Sequence, residues 1–322
     1  MRILVTGCAG FIGSNLVQRC LDRGWDVFGV DDLSNGHTEF LPKAFVHDIH
    51  RFFPVDFAGR VVTGLVNRKS VDAVIHLAAV PRVSYSVEHP IKTNDVNVSR
   101  TLKLMDVCRS NVKRFVFASS SSVYGGADVL PTHENQPKRP KSPYALQKSI
   151  VEDYLAMYSD LYGLDSACLR FFNVFGNSQI AGGAYATAVS SWLNAIHKGL
   201  PMRSDGDGTQ SRDMCYVDNV TDACARAASA DGLLRARCYN VACGERVTNA
   251  EILAYLLKRY PNATMQSAPW RPGDVMHTQA DIGRISKELG YSPLVRFWEG
   301  LELTIDWYER NWDWVKNLKQ SI

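Results

Sequence analysis

The chain has 322 residues, 46% of them hydrophobic, 10% aromatic and 21% charged, which supplies a core for one large or two ordinary domains. This excludes a collagen, a repeat solenoid and a small disulfide-stapled scaffold. Lys plus Arg number 36 against 33 Asp plus Glu, and the resulting +3, with no dense basic tract, points away from a nucleic-acid partner. The opening MRILVTG does not read as a secretory leader, and no apolar run approaches the ~20 residues of a membrane span. Eight cysteines without a CxxC pair read as free thiols in a reducing compartment, so a cytoplasmic protein with no bound metal is expected.

In chain order, Arg2–Thr6 reads as a strand, Phe11–Arg23 as a helix closed by Gly24, and Val27–Val30 as a second strand. Val71–Ala78 and Arg114–Ala118 are further strands, separated by a helix over Val98–Cys108. A helix from Tyr144 to about Leu161 and a strand over Asp165–Arg170 complete this half. Alternation at these lengths predicts an α/β fold, a Rossmann-like parallel sheet with helices on both faces and ligands beyond the carboxyl ends of its strands. After about residue 175 the cadence changes. Arg212–Val217 and Cys238–Ala242 read as strands among loops rich in Gly, Pro and Arg. The expectation is a Rossmann domain over 1–175 and a smaller, interleaved substrate lobe over 176–322, some segments of which return to the first domain. The tail carries Trp298, Trp307, Trp312 and Trp314 on an amphipathic helix, read as anchors on the protein's own body or as an oligomer contact.

Gly7, Gly10 and Gly13 lie between the first strand and first helix, with Phe11 and Ile12 between the last two. Glycines at this spacing allow a tight turn and bring backbone N–H groups to a pyrophosphate at a helix N-terminus. Asp31 ends the second strand, where a carboxylate accepts ribose hydroxyls and repels a 2′-phosphate, so NAD is expected over NADP. Asp32, Ser34 and Asn35 extend that ribose site. Asp48-Ile49 falls where a third strand should end and could meet the adenine, although an ordinary turn acid fits too. His76 precedes Leu77-Ala78-Ala79, small residues that let a cofactor pass close to the backbone; the histidine alone is more often structural.

Tyr144 and Lys148 stand one helical turn apart and project from one face. A tyrosine with a pKa of ~10 is a poor base at neutral pH. A lysine at one turn and the positive nicotinamide ring favour the phenolate, which can take a hydroxyl proton while hydride leaves the neighbouring carbon. Ser120, at the end of the fourth strand, would hydrogen-bond the same oxygen.

The motifs TGCAGFIG, VDDLSNG, HLAA, SSSSVYG, SPYALQK, RFFNVFG, SRDMCYVDNV and WRPGD together resemble the extended short-chain dehydrogenase/reductases, in the branch that modifies nucleotide sugars. They run from residue 2 to about 290. The resemblance implies tightly held NAD, a UDP-sugar substrate in the carboxy-terminal lobe, and homodimers built from two helices per subunit, near 98–108 and 145–160. Asn97 in NDVNVSR resembles the asparagine that opens the helix beside the active site. Dehydratases and decarboxylases of the family carry carboxylates after the catalytic serine, where this chain has Ser121 and Ser122. That turns the expectation from elimination to C4 epimerisation.

By the same resemblance, Asn173 and the cations Arg212 and Arg271 should meet the diphosphate, Asp274 the uridine ribose, and Ser84, Ser121 and Ser122 the hexose. Thr278 stands where strict galactose enzymes carry a tyrosine, and its small volume leaves room for a 2-acetamido group. UDP-GlcNAc to UDP-GalNAc is therefore the expected conversion, with UDP-Glc and UDP-Gal as further substrates. Asn177-Ser178 and the loop AAVPRVSYS depart from the family's usual pattern. If Arg82 in that loop points inward, UDP-glucuronate 4-epimerisation is the alternative. A decarboxylase or 4,6-dehydratase, and a non-catalytic NAD-binding scaffold, are the remaining readings.

Overall fold

The computed structural model describes residues 1–68, 70–126, 128–181, 187–270 and 275–318. Its centre is a seven-stranded parallel sheet built from β1 (Arg2–Thr6), β2 (Asp26–Val30), β3 (Phe52–Phe53), β4 (Ala73–His76), β5 (Arg114–Ser120), β6 (Ser166–Phe171) and β7 (Arg237–Val241). The spatial order is β7-β6-β5-β4-β1-β2-β3. The chain builds outward from β1 through β2 to β3, then returns to the other side at β4. The carboxyl ends of β1 and β4 therefore flank the point where the order reverses, the place where such sheets open a crevice.

Both faces of the sheet are covered, as its continuous apolar strands require. Ile3 and Val5 of β1 join Leu16, Val17 and Cys20 of helix α1 (Phe11–Asp22) on one side. Leu4 joins Leu104 and Met105 on the other, together with Val151 and Leu155. The latter pair lies on the helix Pro143–Tyr162, which follows the short helix α2 (Val83–Glu88) and is here α3. Ser142 caps α3 by accepting the Ala145 N–H, Pro143 opens it with a preset φ, and Gly163 closes it in the left-handed region at φ +71°. Replacing such a serine cap by alanine typically costs about 1 kcal/mol.

The expected third strand differs. β3 is only Phe52–Phe53, so Asp48 and Ile49 precede it rather than end it. Asp48 pairs with Arg51 at 3.1 Å, and Arg51 also grips Asp26 at the start of β2. This places the Asp48 network at the amino-terminal edge of the sheet, and Ile49 is exposed to solvent. Past the end of β3 the chain runs through Pro54 and Val55 to Asp56 and Phe57.

Arg212–Val217 is not one strand. Two short strands, Ser211–Arg212 and Met214–Tyr216, flank Asp213, and Val217 begins helix α4 (Val217–Ser229). α4 packs on the same sheet face as α1 through Val220, Ala223 and Cys224, and β7 pairs with β6. A further core gathers Trp192, Leu193, Met202, Ile252 and Leu256 around Phe297, Leu301 and Ile305 of the last helix, α5 (Phe297–Val315). Trp307 and Trp312 pack against that core, while Trp298 is largely exposed. Among the described residues no helix is long and apolar enough to cross a membrane.

Candidate active site

A cavity of about 1170 Å³ opens where the strands end. The glycine turn, the β4 loop, the serine run after β5, the start of α3 and the Asn173, Arg212 and Thr278 segments all border it.

Backbone proximity dictates the glycines. A Cβ on Gly7, whose φ is +70°, would stand 2.8 Å from the Ala78 nitrogen, and one on Gly13 would stand 2.0 Å from the Gly7 carbonyl oxygen. No side chain caps α1, so its first-turn N–H groups face the cavity beside Gly10, Phe11 and Ile12. Leu77 and Ala79 form the opposite lip, with the Ala78 backbone against Gly7. Asp31 accepts N–H groups from Ala9 and Leu33, both at 2.9 Å, and so ties the glycine turn to the end of β2. Burial raises its carboxyl above the ordinary value, opposed by those two backbone bonds. Asp32 is occupied by the Ser34 N–H and hydroxyl, whereas the buried side-chain oxygen of Asn35 has no hydrogen-bond partner. A bare N–H turn, a carboxylate behind it and an orphaned buried acceptor fit the adenosine diphosphate half of a dinucleotide.

Ser120, Tyr144 and Lys148 meet in one wall of the cavity. Ser120 receives the Ser122 hydroxyl at 2.9 Å and hydrogen-bonds the Tyr144 hydroxyl. The tyrosine is deeply set yet partly open to the cavity. Burial pushes its phenol up to about 12, with the Ser120 bond acting in the opposite direction. Lys148 is 4% exposed and donates to the Ala118 carbonyl at 2.7 Å. Its amine is pushed down to about 7 by burial and pulled back by Glu152. Burial thus makes the phenolate costly, and added positive charge is what would make it accessible.

The supporting shell is polar and buried. Asn97 clamps the β4 loop by accepting the Val80 N–H at 2.7 Å and donating to its carbonyl at 3.0 Å. It sits in a widened π-type turn over Asp95–Arg100, which precedes the helix Thr101–Cys108. His76 is structural: its ring is held between Thr6 at 2.7 Å and Thr101 at 3.0 Å. Burial, with the charge of Lys148 adding to it, pushes it down to about 3.

Ser84, Ser121, Ser122, Asn173, Arg212 and Thr278 all line the cavity; Arg271 and Asp274 lie outside the described residues. Arg82 and Pro81 line it as well, as do Lys141 and His277, two residues to which sequence reasoning assigned no role. Lys141 crosses the Gly125–Gly126 bend, its amine 3.8 Å from where a Gly126 Cβ would stand. Its position three residues before Tyr144 was the available signal.

The chain matches the family described as NAD dependent epimerase/dehydratase over residues 3–242. It belongs to that family. It is an NAD-dependent enzyme of the nucleotide-sugar epimerase type. A UDP-glucose 4-epimerase of Mycolicibacterium smegmatis is 36% identical over 96% of this chain and 98% of its own length. Among solved structures, the UDP-N-acetylglucosamine 4-epimerase of Methanobrevibacter ruminantium, in complex with UDP-N-acetylmuramic acid, superposes with a TM-score of 0.89. It shares 33% identity and covers 96% of this chain and 98% of that one. The UDP-glucuronic acid 4-epimerase of Bacillus cereus, holding UDP-glucuronic acid and NAD, superposes with a TM-score of 0.86 at 28% identity, over 96% and 99%. These relatives share the fold and differ in hexose.

Proposed function

We propose that this enzyme catalyses reversible C4 epimerisation of a UDP-hexose, with UDP-GlcNAc and UDP-GalNAc as the preferred pair and UDP-Glc and UDP-Gal as further substrates. The observation that carries it is the Ser120–Tyr144–Lys148 grouping beside the glycine turn, without a carboxylate at positions 121 or 122. Among the described residues lining the cavity, Glu88 is the only carboxylate, and it lies on α2 rather than on the serine turn.

The chemistry that bound NAD supplies is acceptance of hydride from C4 and its return to the opposite face. Gly7, Gly10, Phe11, Ile12 and Gly13 hold the pyrophosphate, Asp31 and Asn35 the adenosine ribose, and Leu77–Ala79 the opposite side. Asp56 and Phe57, after β3, take the adenine position first read on Asp48-Ile49. Lys148 favours the Tyr144 phenolate, which removes the 4-OH proton and later returns it. Ser120 holds the same substrate oxygen. Asn173 and Arg212 hold the diphosphate, joined in this reading by Arg271, with Asp274 on the ribose. Anchoring through the diphosphate leaves the 4-keto sugar free to turn over. Thr278, with its small side chain, admits the 2-acetamido group.

A second reading, UDP-glucuronate as substrate, is favoured by Arg82, which borders the cavity and has no carboxylate partner among the described residues. Turnover in D2O tests the reaction class. Epimerisation returns the substrate's own hydride, so C4 stays protiated and no carbon gains deuterium. Deuterium entering the hexose, or loss of water or CO2, would contradict the proposal.

A further inference from the structure

Behind the wall of the cavity lies a buried charged chain that the reaction as written leaves unused. Glu152 follows Lys148 by one turn of α3 and is 3% exposed. Its Oε1 accepts the Ser119 hydroxyl at 2.6 Å and the Arg170 Nε at 2.9 Å, while Oε2 accepts Arg170 Nη2 at 2.7 Å. Ser119 on β5 and Arg170 on β6 are register partners, so two adjacent strands grip one carboxylate from the helix. Arg170 also donates to the Tyr124 hydroxyl at 2.8 Å, and Tyr124 donates to Asn240 at 2.7 Å. Tyr124 ends the short turn that begins beside Ser120. One network therefore fixes both the helix turn after Lys148 and the turn that carries the serines.

We propose that Glu152 is a positioning residue: by gripping Ser119 and the Arg170 fork it fixes the end of β5, whose Ala118 carbonyl holds the Lys148 amine. This rests on the reading of Tyr144 and Lys148 as the reacting pair. The groups facing Lys148 are few. Tyr144 and Glu152 share its helix, Phe117 on β5 lies 4.7 Å beneath the amine, and neutral His76 stands behind on β4. Beyond Glu152 lie the cations Arg170 and Lys138, the latter 3.7 Å from its carboxylate. Lys138 has its own second anion in Asp153. Among the described residues Glu152 is the carboxylate one helix turn from Lys148; burial draws the amine down to about 7 and the charge of Glu152 acts against that. A fork-on-carboxylate pair is the rigid way to hold that charge, which a lysine at position 170 would not reproduce.

The test compares Glu152→Gln and Glu152→Asp with the native holoenzyme, measuring NAD affinity and nucleotide-sugar turnover across pH. The Gln variant should lose about tenfold in kcat, its alkaline limb should fall by about one pH unit, and KM should stay near native. The Asp variant keeps the charge but draws it back; it should shift the same limb less, and it serves if the Gln variant does not fold. In each variant NAD affinity should weaken at the pH to which that variant's limb falls. Folded variants that keep the native limb in turnover and in NAD affinity would overturn the proposal. If native enzyme turns over no nucleotide sugar, the reading of the reaction fails, and the NAD titration still decides the role of Glu152.

Discussion

Thr278 donates its hydroxyl to Oδ1 of Asn173 at 3.3 Å and accepts the Asp213 N–H at 3.2 Å. In the proposed reading the residue that admits the hexose thus also supports the one that holds the diphosphate, and volume and polarity can be separated by substitution. Thr278→Tyr should depress turnover of UDP-GlcNAc at least about tenfold more than that of UDP-Glc, because the phenol fills the acetamido space. Thr278→Val keeps the volume and removes the hydroxyl. It should raise KM for both sugars about fivefold, roughly the worth of one hydrogen bond. Steady-state kinetics on the two substrates checks both.

Gly13 is the most confined glycine of the turn, since a Cβ there would stand 2.0 Å from the Gly7 carbonyl oxygen. Gly13→Ala should displace the turn and weaken NAD binding at least about tenfold, read as NAD content after purification and by titration. Gly64, within the helix Arg60–Asn67, has nothing within 4 Å of an added Cβ. Gly64→Ala should leave NAD binding unchanged and add about 0.5–1 kcal/mol of stability.

The residues that announce the site are those whose chemistry depends on local spacing. Gly7 to Gly13 and Tyr144 to Lys148 are each set by local backbone geometry, and both groups line the same cavity. Asp48-Ile49 misled because β3 is a pair of phenylalanines without an alternating pattern, so an earlier acid looked like its end. Arg212–Val217 looked like one strand because an apolar run, Met214–Val217, follows Asp213. That carboxylate instead accepts N–H groups from Cys243, Gly244 and Ala280, and breaks the run. The Glu152–Arg170 contact was illegible for another reason: it arises only when β5 and β6 come into register beneath α3.

His76 gives a pH prediction with a defined sign. Its ordinary value is 6.5 and burial lowers it to about 3 in the folded chain. Between those values the unfolded chain binds a proton that the folded one refuses, so stability is retained above pH 6.5 and lost as pH falls. The loss attributable to this one residue is about 3 kcal/mol at pH 4. Urea unfolding of native protein and His76→Gln at pH 7 and pH 4.5 should show a smaller decline in the variant. Equal declines would remove His76 from the account.

The homodimer expected across the helices near 98–108 and 145–160 can be tested directly; among the described residues the exposed apolar side chains of this region lie on α3 and on the helix before 98–108 rather than on 98–108 itself. Leu146, Met157, Leu161 and Tyr162 on α3, with Ile91 on the adjoining helix Pro90–Asn94, remain substantially exposed. Light scattering should give twice the 35.9 kDa chain mass. Leu161→Glu should shift the protein towards monomer. A native mass of one chain at all concentrations would exclude this arrangement.

The most direct test of the central claim is to incubate the purified protein separately with UDP-GlcNAc, UDP-Glc and UDP-GlcA and follow the anomeric protons by NMR. The account predicts UDP-GalNAc as the fastest product, UDP-Gal more slowly, and loss of both in Tyr144→Phe. Reaction of UDP-GlcA alone would contradict the reading of Thr278 and make Arg82 the residue that selects the substrate.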